Sequence, residues 1–563
     1  MHPLLSRDSG KKMLLLGNEA IVRGALEAGC AVAAAYPGTP SSEIGNNLFF
    51  ISQAENSSIY FEFSTNEKVA MEVAAAAAAA GVRSLTCMKH VGMNVASDVL
   101  MTLAYVGVKA GMVIVTADDP SMHSSQNEQD NRIYAKFANL PMLEPTSPQE
   151  ARDMTVEAFR ISEALELPVI LRTTTRTSHV RGPVELGPLP RDVKKRGVFE
   201  KDMRRWVPVP AVARIRHKVL LKQIEKARSM NEEFGFNSLS GTGPVGIVAS
   251  GVSVCYVEDA LMELGCEDEV SFLRLGFTYP FPKELIGCFL KRVENVLVVE
   301  ELEPFIENEI KIICHDLSLD MAVYGKASGH FSRMYEFDPL MVKKAISDVT
   351  GVDIQKPAMP DLSSVPTLPM RPPTLCKGCP HRETYNAAKA ALQDLGMEEK
   401  AIYPTDIGCY TLGLLPPIQM ADYLLCMGSS VGSSAGFSIS TDHKIVSFIG
   451  DSTFFHSGIS SLASAYHNQH RFCLVVLDNS TTAMTGHQPN PGIEIRPPGY
   501  DKPRIPIDDV VRGLGITNIY KVNPYKKKEA VETFKAALSG DELSVVIAEA
   551  PCILYCKKFG GKK

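Results

Sequence analysis

Residues 449–488 read IGDSTFFHSGISSLASAYHNQHRFCLVVLDNSTTAMTGHQ. SFIGD (447–451) is the end of an apolar strand followed by a tight turn at Gly450. The pattern then predicts an amphipathic helix and a second apolar strand, CLVVLDN (473–479). A strand–helix–strand unit of this length implies two parallel strands, because parallel neighbours need a crossover of a dozen or more residues. Asp451 and Asn479 then stand at the carboxyl ends of adjacent strands, where open α/β sheets bind ligands. Their oxygens suit a hard cation such as Mg²⁺, which keeps water and substrate phosphates as its other ligands. A glycine at position 450 allows close approach of backbone to a phosphate.

This arrangement resembles the motif that binds thiamine diphosphate (ThDP), a GDG followed after a spacer by N or NN. The chain departs from it twice: Ser452 stands at the second glycine and Ser480 at the second asparagine.

The rest of the chain sets the frame. Its 563 residues exceed one hydrophobic core and imply several domains. Hydrophobic content of 45% with 22% charged residues is that of a globular protein. A net charge of −6 gives no electrostatic footprint for nucleic acid. No stretch has the length and apolarity of a membrane span, and the first twenty residues hold only a short apolar run, MLLL. The expectation is a cytoplasmic protein, and its thirteen cysteines are expected to be reduced thiols, some binding metal.

The fold class expected is α/β, a multidomain ThDP-binding fold of doubly wound parallel sheets. Residues 1–190 alternate strand and helix as one doubly wound unit, and the resemblance to ThDP enzymes implies that it is the pyrimidine-type ThDP-binding domain. The seven alanines from Ala74 to Ala80 read as a closely packed helix. Residues 191–240 form a connecting arm, whose charge run RDVKKRGVFEKDMRRW reads as a solvated face. Residues 241–355 form a second α/β domain, which the resemblance to ThDP enzymes implies is of transketolase C-terminal-like type. GTGPVG (241–246) is no dinucleotide fingerprint, since it precedes its strand. Residues 356–373 hold six prolines and read as an extended linker. Residues 374–563 form a diphosphate-type ThDP-binding domain with a cysteine cluster site. There Cys376 and Cys379 make a CxxC pair, Cys409 follows in TDIGCYTLG and Cys552 in EAPC. Spaced cysteines in a reducing compartment read as a redox pair, a zinc site or an iron–sulfur site. Cys556 is read as incidental.

A chain-long set of strings carries a wider resemblance. They are YPGTPSSEI (36–44), STNEKVAMEVA (64–74), MKHVGMNVASD (88–98), SSQNEQDNR (124–132), CKGCPHR (376–382), TDIGCYTLG (405–413), GDSTFFHSGI (450–459) and DNSTTAMTGHQ (478–488). In that order the chain resembles the 2-oxoacid:ferredoxin oxidoreductases, and within them the large (alpha) subunits of indolepyruvate type. The resemblance implies ThDP-dependent oxidative decarboxylation of an aryl 2-oxoacid to an acyl-CoA. Coenzyme A is the co-substrate, and electrons pass through iron–sulfur centres to ferredoxin or a partner subunit. A non-oxidative ThDP decarboxylase is the alternative.

The resemblance also assigns roles. Glu67 is the carboxylate against the ThDP pyrimidine, with Glu72 as the competing candidate. Thr39 binds the substrate carboxylate, while Lys89 and His90 bind it or shuttle protons. His456 and His487 are weaker candidates. Gly428, Ser429 and Ser430 support the ThDP core. Gly450, Asp451, Ser452, Asn479 and Thr481 hold the diphosphate, with Asp451, Asn479 and the Thr481 carbonyl on Mg²⁺. Cys376, Cys379, Cys409 and Cys552 ligate a 4Fe-4S cluster. Related alpha subunits continue into a ferredoxin-like domain with two CxxCxxCxxxCP runs, which this sequence lacks. The expected partners are a smaller beta (gamma-type) subunit and a ferredoxin or ferredoxin-like subunit, in a dimer of heterodimers.

Overall fold

The structure is a computed structural model that describes residues 2–55, 57–354, 364–369, 371–497 and 499–560. Pro357 and Pro360 of the proline-rich segment lie outside the described residues. The chain divides into two compact units, Met1–Leu362 and Ser363–Lys563.

The first unit holds a seven-stranded sheet in the order Phe277–Tyr279, Met142–Leu143, Val169–Thr174, Met112–Asp118, Ser84–Lys89, Val32–Ala35, Tyr60–Phe63. All its pairs are parallel except the edge strand Phe277–Tyr279, which runs antiparallel to Met142–Leu143. The 112–118 strand is apolar on both faces, MVIVTAD, because each face is covered. The strand Lys12–Leu16 does not join this sheet. It pairs antiparallel with Arg181–Glu185 as a separate two-stranded ribbon. The alanine run lies in the helix Glu67–Ala79, with Ala70, Ala74 and Ala78 buried at i, i+4 and i+8.

A second sheet in the same unit runs Ala322–Tyr324, Asn295–Val299, Val245–Ser250, Val270–Leu275, Ser238–Ser240, with only the last antiparallel. The arm between the sheets contains the helices Met203–Trp206 and Pro210–Glu232.

The second unit is built on one parallel sheet, in the order Ala401–Ile402, Lys444–Gly450, Cys473–Asp478, Ser544–Glu549, Ile519–Val522. Alternate side chains of its strands feed two cores. Val446, Phe448, Val475 and Leu477 pack under the helices Pro380–Asp394 and Lys527–Ser539. Ile445, Ile449, Leu474 and Val476 face the opposite layer, with Val431, Leu462 and Val511. Each such fully buried side chain contributes about 1.5–3 kcal/mol, which makes the register of these strands unambiguous.

Candidate active site

In the first unit, three neighbouring parallel strands and one helix start deliver side chains to the carboxyl edge of the seven-stranded sheet. Asn66 caps the helix Glu67–Ala79 by accepting the Val69 N–H at 2.9 Å, which sets Glu67 in the first turn. Glu67 is 5% exposed. It lies flush against the helix His90–Val106 because residue 92 is glycine: a Cβ there would stand 2.7 Å from both Glu67 Cγ and Oε1. Glu72, by contrast, has a side chain 45% exposed and is paired with Lys68.

Lys89 ends its strand and donates to the Ser124 carbonyl at 2.8 Å. Its stem packs on the turn after Val32–Ala35, where a Cβ on Gly38 would meet Lys89 Cγ at 3.1 Å. In that turn the Thr39 hydroxyl lies 3.3 Å from Ser42 Oγ, and the Thr39 carbonyl accepts from Ser124 Oγ at 3.1 Å. Burial lowers the Lys89 pKa to about 8, against the opposing pull of Asp119 and Glu67. His90 Nε2 lies 3.2 Å from both the Asn127 carbonyl and its side-chain oxygen. Both partners only accept, so Nε2 carries the proton and buried Nδ1, with no bonded partner, is the free lone pair. Burial, then the adjacent Lys89 cation, lowers the His90 pKa and keeps the ring neutral.

In the second unit, Gly450 pairs with Leu477 across parallel strands, which brings Asp451 and Asn479 to one edge. The Asp451 carboxylate accepts from Ser452 N–H at 2.9 Å, Thr481 N–H at 3.1 Å and the Asn490 amide at 2.9 Å. The groups bonding it are amides, and it is 3% exposed. Burial, with Asp478 close by, drives its pKa far above the carboxylate range. Asn479 Oδ1 accepts from Thr481 N–H at 3.2 Å, and its amide nitrogen donates to His381 Nε2 at 3.0 Å. Burial pushes His381 down to about 4, so it is a neutral acceptor.

Gly450 has a neighbour that the motif does not announce: a Cβ would stand 2.5 Å from the Tyr410 ring. Beyond Asp451 the helix contains a π turn, Phe454–Gly458, with His456 inside it. Such turns recur at functional sites. His456 Nδ1 bonds Ser457 Oγ, which donates to the Met427 carbonyl at 3.1 Å. Gly428 adopts φ +85° and a Cβ on it would meet Ser457 Cβ at 2.7 Å, so only glycine fits. Ser429 Oγ accepts the Cys426 N–H, and Ser430 N–H donates to Asp406 at 3.2 Å. Asp406 is fully buried, keeps one carboxylate oxygen unbonded and is pushed by burial to about 7. His487 sits at φ +67° beside the Tyr555 ring, lowered by burial.

The four cysteines gather beside this edge. Cys376 and Cys379 share a turn, with Cys379 N–H on the Cys376 carbonyl at 3.1 Å. Cys552 N–H donates to the Asn479 carbonyl at 3.0 Å. Burial pushes the Cys409 thiol up to about 12, and Cys379, Cys552 and Cys376 each add to it. Cys556 is buried one helical turn beyond Cys552. Among the described residues no three His, Cys, Asp or Glu side chains close into a cage for a metal ion.

Sequence reasoning missed Asn490, Asp406, His381 and Gly92. Asp406, His381 and Gly92 lie inside the quoted strings, yet no spacing distinguishes them. Asn490 sits in the loop HQPNPG, where only tertiary placement gives it a role.

Residues 23–229 match the family described as "Pyruvate flavodoxin/ferredoxin oxidoreductase, thiamine diP-bdg", and residues 406–548 match "Thiamine pyrophosphate enzyme, C-terminal TPP binding domain". Indolepyruvate oxidoreductase subunit IorA of Methanothermobacter thermautotrophicus is 52% identical over 98% of this chain and 89% of its own. That of Thermococcus kodakarensis is 47% identical over 97% and 86%. The chain belongs to the indolepyruvate oxidoreductase subunit IorA family. It is accordingly an α/β enzyme subunit of the 2-oxoacid:ferredoxin oxidoreductase class, carrying domains of the thiamine-diphosphate-binding type. A solved 2-oxoglutarate:ferredoxin oxidoreductase from Magnetococcus marinus aligns with a TM-score of 0.47 and 15% identity, over 60% of this chain and 65% of that one, too loosely to argue from. No helix among the described residues is long and apolar enough to cross a membrane.

Proposed function

We propose that this chain catalyses the ThDP-dependent oxidative decarboxylation of an aryl 2-oxoacid, of the indolepyruvate kind, to an acyl-CoA. Cys376, Cys379, Cys409 and Cys552 would hold a 4Fe-4S cluster, which would supply the route for electrons to a ferredoxin or a ferredoxin-like partner. The observation that carries the reading is Asp451: a buried carboxylate bonded only by amides at a parallel-sheet edge. A buried charge so held costs several kcal/mol unless a cation meets it, and its neighbours offer the oxygen donors that suit Mg²⁺. Asp451, Asn479 and the Thr481 carbonyl would hold that ion, with Gly450 and Ser452 beside the diphosphate. Gly428, Ser429 and Ser430 would support the cofactor core. ThDP, when bound, supplies the electron sink for decarboxylation.

The chain's own residues do the rest. Glu67 holds a proton against the pyrimidine ring. The Thr39 hydroxyl and the Lys89 ammonium bind the substrate carboxylate. His90 Nδ1, neutral and unprotonated, accepts a proton at the same edge. Cys376, Cys379 and Cys552 lie near enough to Cys409 for each to raise its thiol pKa, and that proximity supports shared ligation by the four. A smaller partner subunit completes the enzyme, as a dimer of heterodimers.

Anaerobic copurification with the partner subunit tests the reading. The expected result is iron and acid-labile sulfide, broad visible absorption and dye reduction that needs a 2-oxoacid. Absence of iron and sulfide would remove the cluster and leave a non-oxidative decarboxylase. If Asp451→Ala bound ThDP with Mg²⁺ as tightly as the parent, the diphosphate assignment would fall.

A further inference from the structure

The arm carries an observation that the proposed chemistry does not use. Residues 191–222 hold eleven Lys and Arg against three Asp and Glu, a net of +8 in a chain of −6, which leaves −14 on the remaining residues. The arm is pinned by some of those cations. Arg205 donates to the Val108 carbonyl at 2.6 Å, Arg216 to the Tyr105 carbonyl at 2.8 Å and Lys195 to the Ser57 carbonyl at 2.9 Å. Gly197 passes so close to the Ala80 carbonyl that a Cβ would stand 1.8 Å from it. Farther along, Gln223 and Lys226 donate to the carbonyls of Leu165 and Ala164.

Ala80, Val106 and Leu165 mark the ends of the helices Glu67–Ala79, His90–Val106 and Pro148–Leu165. Helix C-termini leave carbonyls unbonded and favour cations. These three ends lie at the amino-terminal edge of the parallel strands, away from Glu67 and Lys89. Along the 90–106 helix the separation from His90 is about 24 Å at 1.5 Å per residue. Substrate at the carboxyl edge does not reach this face.

The outward side of the arm is neither a plain solvated face nor a core. Val198 is 78% exposed, Met203 81% and Ile215 59%, and Val207, Val209 and Leu221 are also exposed. Between them stand exposed Arg204, Arg214, Lys218 and Lys222. Arg205 stacks on Trp206 at 4.5 Å, fixing an indole in the strip. A charge run alone is an ordinary solvated surface, and an apolar side chain exposed singly is ordinary too. These six large apolar side chains, all exposed within residues 198–222 of one pinned arm, set this surface apart. Interface cores are rich in Trp, Met and Arg, the role Trp206, Met203 and Arg204 fit, while lysines such as Lys218 and Lys222 suit the polar rim. A polyanion such as nucleic acid would want the cations without the apolar side chains.

We propose that the outward face of residues 198–222 is the docking surface for an acidic protein face with an apolar centre, carried by the partner subunit. This rests on the reading above that a partner subunit exists. The fit is in charge and in surface type. Residues 198–222 carry seven Lys and Arg against Glu200 and Asp202, a net of +5 on an otherwise acidic chain. That charge attracts an acidic partner and leaves the Val, Met and Ile side chains free for a water-excluding contact. The surface serves assembly and leaves the catalytic edge free.

The test uses the co-expressed two-subunit enzyme. Hydrogen exchange of the complex is compared with the chain alone, and Met203→Ser/Ile215→Ser and Arg214→Glu/Lys218→Glu/Lys222→Glu variants are titrated with the partner at two salt concentrations. The expected result is protection of 198–222 only in the complex. Each variant should lower partner affinity at least tenfold, and the charge reversal should abolish the salt dependence of the parent. Unchanged thermal unfolding of the isolated variants separates lost docking from lost folding. Equal affinity of parent and variants, or protection elsewhere only, overturns the proposal while leaving the partner reading intact. Protection of 198–222 in the chain alone at high concentration overturns it in favour of self-association. A parent chain that binds no partner overturns both.

Discussion

Gly92→Ala adds one methyl group and tests the placement of Glu67. The new Cβ would stand 2.7 Å from Glu67 Cγ and Oε1 and 3.0 Å from Cδ. Carbon contacts settle at about 3.5 Å or more, so the carboxylate must retreat by roughly 0.8 Å. A misplacement of that order costs about 10²-fold in rate, or about 2.7 kcal/mol of transition-state stabilisation. Stability should move little. Glycine to alanine in a helix gains about 1 kcal/mol, and crowding costs about 1–3 kcal/mol. The assay is 2-oxoacid-dependent dye reduction by the anaerobically purified enzyme, with thermal unfolding beside it. A double-mutant cycle supplies the control: on a Glu67→Gln background, which already lacks the function, Gly92→Ala should cost almost nothing more. A variant within about threefold of the parent, or a second full loss on the Glu67→Gln background, would refute the reasoning.

Glu72→Gln should leave activity within about twofold of the parent, since an exposed ion pair contributes at most about 1 kcal/mol, and a larger loss would reopen the choice between Glu67 and Glu72. The Lys89 ammonium is charged below about 8, so KM for the 2-oxoacid should rise about tenfold per pH unit above that value while kcat changes less; Lys89→Met should raise KM at neutral pH and flatten the profile. The sign for stability is separate: the folded pKa lies below the unfolded one, so the unfolded chain binds more protons between them. Lys89 therefore makes stability rise with pH from about 8 to about 10.4, and Lys89→Met should remove that rise in denaturant titrations. Gly428→Ala meets both φ +85° and Ser457 at 2.7 Å; a left-handed alanine costs about 1–2 kcal/mol and the clash about 1–3 kcal/mol more. It should lower the thermal midpoint and weaken ThDP binding together, and a fully stable variant would contradict the turn.

The sequence by itself determined the layout of the second unit. IVSFIG and CLVVLD are short runs apolar on both faces, as strands of a covered parallel sheet are, and the spacing between them leaves room for one crossover helix. That placed Asp451 and Asn479 at one edge before any coordinates. It could not place Asn490, because nothing in HQPNPG fixes where a loop amide points; the 2.9 Å bond to Asp451 is a product of the folded loop. Residue pattern alone could not separate Glu67 from Glu72, five residues apart on one helix, and only the family resemblance favours Glu67; that Glu67 is buried against Gly92 of a neighbouring helix while Glu72 is exposed emerges only in the fold. Nor could it see why Gly450 and Gly428 are glycines, since Tyr410 and Ser457 approach them from distant parts of the chain. Local pattern fixes strands, helices and turn chemistry because these depend on period and on backbone freedom. Protonation and reach depend on desolvation and on which segments close over a site, and those arise only when the chain is packed.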